Sequence, residues 1–166
     1  MTRCLLWVLV MMPGVLVAND RELVVGHWAS AGSIFEIMLS DGTLKGHVRA
    51  LFNPKYLSEE DADRVGQPRT DDNNPDTELR DRPIIGLTMF SEYQFEDGQW
   101  QGKIYDPESG NTYQSRMKIT GKGDLEIRGY IGIPMFGRTA KFAPVQLCTA
   151  EIQKMIVQLA GQFTCP

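Results

Sequence analysis

The chain has 166 residues and a formal net charge of -4, with 42% hydrophobic and 23% charged residues. That length suits one domain with a core of its own, and the ordinary composition excludes global disorder. The modest acidic balance argues against nucleic acid as the main partner, because phosphate binding needs a basic surface.

Residues 1–18 read as a secretory signal: Arg3 supplies the charged start, Leu5 to Val17 is an apolar run broken by Pro13 and Gly14, and cleavage is expected near Ala18. The alternative is an uncleaved anchor, but the run is shorter than the roughly twenty residues that span a bilayer. The expectation is a periplasmic or secreted protein with no transmembrane segment once the signal is removed. Cleavage would take Cys4 and leave Cys148 and Cys165. Two cysteines in an oxidising compartment form one bridge or remain two thiols, and the bridge is the expectation.

Strands are expected from Leu23 to Trp28 and from Ile34 to Leu39, the second with Phe35, Ile37 and Leu39 on one face. Ser40-Asp41-Gly42-Thr43 makes the turn into a third strand, in which Leu44, Gly46, Val48, Ala50 and Phe52 alternate with Lys45, His47 and Arg49. Asn53 to Arg82 breaks this pattern with prolines and charge, and Ser58-Glu59-Glu60-Asp61 has the form of a capped short helix. In the back half Ile85, Leu87, Met89, Ser91 and Tyr93 share one face. Trp100, Gly102 and Ile104 follow, then Tyr113, Ser115, Met117 and Ile119, then Leu125, Ile127, Gly129 and Ile131, and a last strand from Met135 to Phe142. About eight short strands with turn chemistry between them predict an all-β antiparallel barrel or sandwich. Gly46, Gly102 and Gly129 fall on the interior faces, where glycine either allows sharp coiling or leaves room for a ligand. After Pro144 the period becomes helical, with Thr149 as N-cap, an apolar stripe of Ile152, Met155, Ile156 and Leu159, and Gly161 as the stop. This helix packs on the barrel or closes one end of it. The chain thus divides into a signal at 1–18, a barrel at 19–143 and a helical extension at 144–166.

Four stretches carry a family likeness: Gly26-His27-Trp28; Asn73 to Asp76 running through Leu79-Arg80-Asp81-Arg82-Pro83 to Gly86-Leu87; Trp100 to Tyr113; and Leu125 to Gly129. Together they resemble the bacterial domain-of-unknown-function 2147 family. The resemblance implies an exported bacterial protein with no assigned activity and no catalytic residues to carry over. Leu44-Lys45, Tyr130 and Gly137 stand where the family often has cysteines, and Phe142 where it has Trp, so a bridge of that pattern is absent. Gly26-x-Trp28 also resembles the lipocalin and fatty-acid-binding superfamily. That likeness implies a lipocalin-like barrel in which an arginine from a late strand, here Arg138, packs on Trp28 and closes one end. An ordinary core tryptophan is the other reading of Trp28. Trp28, Arg138, Trp100, Tyr105 and Tyr113 are the candidate ligand or barrel-end residues.

Asp72, Asn74, Asp76 and Glu78 alternate as early calcium ligands do, but Thr77 and Pro83 occupy the positions of the required Gly and Glu, so this is no EF-hand loop. His27 and His47 lack partners at zinc-ligand spacing, and no nucleophile elbow or phosphate-cradling loop is present. No metal or cofactor is expected, and enzyme activity is less favoured than binding. The expected function is a binding module for a small apolar or amphipathic ligand. The alternatives are an envelope interaction or structural protein acting through the 53–83 loop, and a hydrolase of envelope material. Asp76, Arg80 and Arg82 are expected to hold that loop as an ordered flap over one mouth of the barrel.

Overall fold

A computed structural model describes residues 21–30, 32–159, 161 and 163–165. The segment read as a signal, residues 1–18, lies outside the described residues. Eight antiparallel strands close into a barrel in which each strand pairs with its neighbour in sequence and the last with the first. They are β1 (Gly26–Ala29), β2 (Ser33–Ser40), β3 (Thr43–Leu51), β4 (Thr88–Glu96), β5 (Gln99–Asp106), β6 (Asn111–Ile119), β7 (Leu125–Tyr130) and β8 (Arg138–Pro144). Closure leaves no free sheet edge. The up-and-down order places the β1–β2, β3–β4, β5–β6 and β7–β8 connections at one end, called here the open mouth.

Alternation supplies the interior. Trp28, Phe35, Ile37, Leu44, Phe90, Tyr93, Trp100, Met117, Leu125 and Ile127 form one buried cluster, with Met89, Ile104 and Phe142 packed against it. The Phe35 ring lies 4.8 Å from Phe90 and 4.7 Å from Phe142. The interior glycines serve this packing. A Cβ on Gly46 would meet the Phe90 ring, and one on Gly102 would meet the Tyr93 ring and its Cα. The room that these two glycines leave is therefore taken by the chain's own aromatic rings.

The simple alternation expected for β4 fails at one residue. Ser91 pairs with Lys103 and Gln94 with Gln101, so Glu92 and Tyr93 together face Gly102. Glu92 takes the left-handed conformation, with φ 56, as the extra residue of a bulge. The bulge resets the phase, so Phe90 points inward with Tyr93 while Ser91 does not, and Met89 packs against the same interior cluster. Tyr93 shares a short hydrogen bond with Ser115 Oγ, and burial pushes its phenol pKa up.

Other boundaries also move. Residues 21–24 form a turn before β1, with Trp28 Nε1 donating to the Val24 carbonyl at 2.9 Å. Leu39 and Phe52, expected on the interior faces, are exposed. Ser58 to Asp61 does not form a helix: Glu60 and Asp61 N–H both return to the Leu57 carbonyl, and the chain turns there. The last strand starts at Arg138 rather than Met135, because Pro134–Phe136 forms a 3-10 turn instead.

The C-terminal helix α1 (Ala150–Ile156) is capped by Thr149, whose hydroxyl accepts from Ile152 N–H at 3.3 Å. Ile152, Met155, Ile156 and Leu159 bury against Ala29, Ile34, Ala50 and Val145. The helix therefore lies on the side of the barrel and does not plug an end. Gln158 locks it there through two bonds to the Leu51 backbone, 3.1 and 2.7 Å. Cys148 and Cys165 are joined by a disulfide, with Cα atoms 5.7 Å apart.

Candidate functional site: a cleft under the flap

The β3–β4 connection, at the open-mouth end, is ordered by two carboxylate-centred knots. In the first, the Asp72 carboxylate accepts a two-pronged bond from Arg64, 2.8 and 2.9 Å, with Thr70 Oγ1 donating at 2.7 Å and Tyr56 Oη at 2.6 Å. Arg64 also reaches Asp61 at 2.6 Å and lies over the Tyr56 ring, 4.1 Å from its centroid. The hydrogen bonds from Arg64 hold the Asp72 carboxyl well below the usual carboxylate range, and the bond to Asp72 in turn raises the guanidinium pKa.

The second knot is deeper. Asp71 has 0% exposure. Its Oδ2 accepts from Arg82 Nη2 and Nε at 2.7 and 2.9 Å and from Asn74 Nδ2 at 2.7 Å, and its Oδ1 accepts from Tyr105 Oη at 2.7 Å. Tyr105 projects from β5, so this knot ties the flap to the barrel wall. Burial, followed by the bond to Asp71, raises the Tyr105 phenol pKa. A third tie is Asn73, whose side-chain amide donates to the Glu108 carbonyl of the β5–β6 turn at 2.8 Å. The two turns come so close that a Cβ on Gly110 would lie 1.9 Å from the Asn73 carbonyl oxygen, and Gly110 has φ +70. Only glycine meets both conditions without strain.

Asp76 caps the 3-10 turn Thr77–Leu79 by accepting from Glu78 N–H at 3.1 Å, and Arg80 Nε donates to the Asn74 carbonyl at 2.8 Å. Asp76, Arg80 and Arg82 thus all make bonds within the flap. The acids that the arginines hold are Asp71, Asp72, Asp61 and, through Arg69 at 2.5 Å, Glu60. The sequence reading missed Tyr56, Arg64, Asp71 and Asn73 as parts of the site. A tyrosine and an arginine inside a proline-punctuated acidic stretch was the available signal, because a solvated acidic loop has no use for either. Among the described residues no three His, Cys, Asp or Glu side chains gather as metal ligands.

Beneath the flap lies a cleft of about 720 Å³. Val48, Leu51, Ile84 and Met89 give it an apolar floor; Tyr56, Arg69, Thr70 and Asp72 form the flap wall; Asp106 and Glu108 stand on the opposite rim. Its charged lining comprises the carboxylates of Glu60, Asp72, Asp106 and Glu108 and one guanidinium, Arg69.

The five candidate ligand or barrel-end residues do not converge on this cleft. Trp28 is in the barrel core, and Trp100 sits at the opposite end, where its indole donates to the Arg21 carbonyl at 3.1 Å. Arg138 does not pack on Trp28. Trp28 pairs with Pro144, whereas Arg138 lies six positions earlier on β8, exposed and opposite Gly129. At about 3.3 Å per residue that separates them by roughly 20 Å along the strand. At the Trp100 end, Arg21 instead lies over the Phe95 ring, 4.8 Å from its centroid. Tyr105 anchors Asp71, while Tyr113, next to Ile104 on the interior face, shares a 3.2 Å bond with Ser109 at the rim.

Residues 26–143 match the family model described as "Uncharacterized protein conserved in bacteria (DUF2147)". Among curated proteins, none matches the chain. Among solved structures, protein HP1028 of Helicobacter pylori, described as belonging to the lipocalin family, is similar with a TM-score of 0.56. The two are 22% identical over 73% of this chain and 82% of that one. That likeness shows the lipocalin-like barrel fold and nothing of function.

Proposed function

We propose that this chain, which belongs to the DUF2147 family, is an exported binding module that seats a small amphipathic ligand in the cleft under the flap. The observation that carries this is the cleft itself, whose about 720 Å³ is within the usual range of small-molecule sites. The barrel interior supplies the rigid floor, not the cavity, because its own aromatic side chains fill it. Leu51, Ile84 and Met89 accept the apolar part of the ligand. Asp72 is already paired with Arg64 and Glu60 with Arg69, so Asp106 and Glu108 set the remaining charge of the lining and favour a neutral, hydroxyl-bearing or cationic polar end over an anionic one. Export is supported by the signal-like residues 1–18 and by the Cys148–Cys165 bridge, which suits an oxidising compartment.

Native mass spectrometry of the protein recovered from the cells that make it tests the reading. A co-purifying mass of lipid or metabolite size is expected, as is fluorescence enhancement of the neutral probe Nile red. Met89→Trp, which fills the cleft floor, should abolish both. Absence of a bound small mass together with probe binding indifferent to Met89→Trp overturns it. A second reading, contact with an envelope protein through the 53–83 loop, is favoured by the filled barrel and by the exposed Leu79 and Ile85 around the flap. In the same experiment it predicts a bound protein in place of a small molecule.

A further inference from the structure

Among the described residues, the most exposed apolar segment is at the open mouth but outside the cleft. In the β7–β8 connection Ile131, Met135 and Phe136 are 77%, 77% and 79% exposed, and Ile133 is 53% exposed. Four large apolar side chains within six residues are a concentrated patch, not scattered surface hydrophobics. The segment is also built. Arg128 reaches across from β7 and donates to the Pro134 carbonyl at 2.7 Å and the Met135 carbonyl at 3.0 Å, while its other arm holds Thr139 at 2.8 Å. Gly137 N–H closes the 3-10 turn onto Pro134. The backbone is tied down by polar bonds, and the side chains are left outward.

The wall beside this tip has a charge opposite to that of the whole molecule. By alternation, Arg116, Lys118, Glu126, Arg128 and Lys141 occupy the outer face of β6, β7 and β8, since Ser115, Met117, Ile127 and Phe142 face in. The register sets Arg116 beside Arg128, and Lys118, Glu126 and Lys141 in one row. Four cations share this face with one carboxylate, Glu126, which pairs with Lys118 at 3.5 Å, so the face stays basic in a chain whose formal net charge is -4.

We propose that the β7–β8 loop is a membrane-docking prong: Ile131, Ile133, Met135 and Phe136 enter the interface of an anionic lipid bilayer while the basic β6–β8 face lies against its headgroups. Apolar insertion combined with a cationic flank is the chemistry by which peripheral elements hold a charged bilayer surface. Outward apolar side chains suit a lipid surface, and the basic flank selects an anionic one. The prong does not depend on the cleft, so each can fail without the other.

The test is partition of the full chain onto phosphatidylglycerol-containing vesicles and onto pure phosphatidylcholine vesicles, for the wild type and for Met135→Ser/Phe136→Ser. Both proteins carry the same first residues, so their difference reads the loop alone. Both positions are exposed, so the fold does not rest on them, and an unchanged melting temperature verifies this. The wild type is expected to prefer anionic vesicles and to weaken as salt rises. The double variant should bind at least about tenfold more weakly, less than the full transfer free energy of two such side chains allows. Lys141→Glu should weaken binding to anionic vesicles while leaving binding to phosphatidylcholine unchanged. Equal partition of wild type and double variant overturns the proposal, as does indifference to lipid charge. So does a concentration-dependent dimer that the double variant abolishes without any change in vesicle binding, which would assign the tip to a second copy of this chain.

Discussion

Replacing Arg82 by alanine is expected to cost far more than replacing Arg80, although the two stand two positions apart in the same charged run. Arg82 gives two N–H bonds to Asp71 Oδ2, and Asp71 has no exposure. Removing one partner of a fully buried ion pair costs about 3–5 kcal/mol, and here the carboxylate is buried while the Arg82 side chain is 37% exposed, which lowers the cost. Tyr105 and Asn74 still donate to Asp71 in the variant, which sets the expectation at the low end, about 3 kcal/mol. At roughly 3 °C per kcal/mol for a chain of this size, the melting temperature should fall by about 9 °C. If the flap opens before the barrel melts, part of the loss will appear instead as faster tryptic cleavage at Lys55, Arg64 and Arg69. Arg80 makes one bond, to the Asn74 carbonyl, so Arg80→Ala should cost only about 1 kcal/mol. Pairing Arg82→Ala with Asp71→Asn should recover part of the loss, because no unpaired charge is then buried. An Arg82→Ala protein with wild-type melting and wild-type proteolysis of the flap would refute the anchoring role assigned to Asp71.

Gly110→Ala should release the flap from the β5–β6 turn and lower stability by about 2 kcal/mol or more, since its Cβ meets the Asn73 carbonyl oxygen at 1.9 Å and its φ is +70; an unchanged denaturant midpoint would contradict the close approach. Cys148→Ser/Cys165→Ser should cost about 3 kcal/mol for a bridge spanning 17 residues, visible as a lower urea midpoint, whereas reducing agent should leave that variant unaffected. Stability should also fall on mild acidification because of His27, whose pKa is lowered, chiefly by burial and further by Arg49, with Glu36 opposing. The unfolded imidazole takes up its proton first, so the loss begins near pH 6.5 and grows until the folded imidazole also protonates. In His27→Gln that part of the pH dependence should vanish, and a wild-type profile in the variant would discard His27 as its source.

The barrel was legible because alternation and turn chemistry report directly on a half-buried antiparallel sheet. Trp28, Phe35, Ile37, Leu44, Trp100, Met117, Leu125 and Ile127 are all in the interior cluster. The helix stripe was legible for the same reason at a different period: all four of its apolar residues are buried. Reading failed where one residue changes phase. Glu92 takes a left-handed conformation that glutamate itself does not signal, and after it the inward set shifts. It failed again for Arg138, since only the β1–β8 register shows that this arginine and Trp28 are at different heights. The interior glycines looked like room for a ligand. Whether such room is free depends on which side chain from the facing strand enters it, here Phe90 and Tyr93.

The flap shows why a candidate site of this kind is harder to read than the fold around it. Its acids look like a metal loop while they are counted by spacing along the chain. In the folded protein, pairing runs between residues 8 positions apart for Arg64 and Asp72, 11 for Arg82 and Asp71, and 34 for Tyr105 and Asp71. Those separations obey no helix or strand period, so no local pattern reports them. They nevertheless determine the site, because the cleft has its wall only while these knots hold. Tyr56 and Asp72 belong to the Arg64 knot and to the cleft wall at once. The order of the flap and the binding proposed beneath it therefore rest on shared side chains, and loosening either knot opens the wall while leaving the apolar floor on the barrel in place.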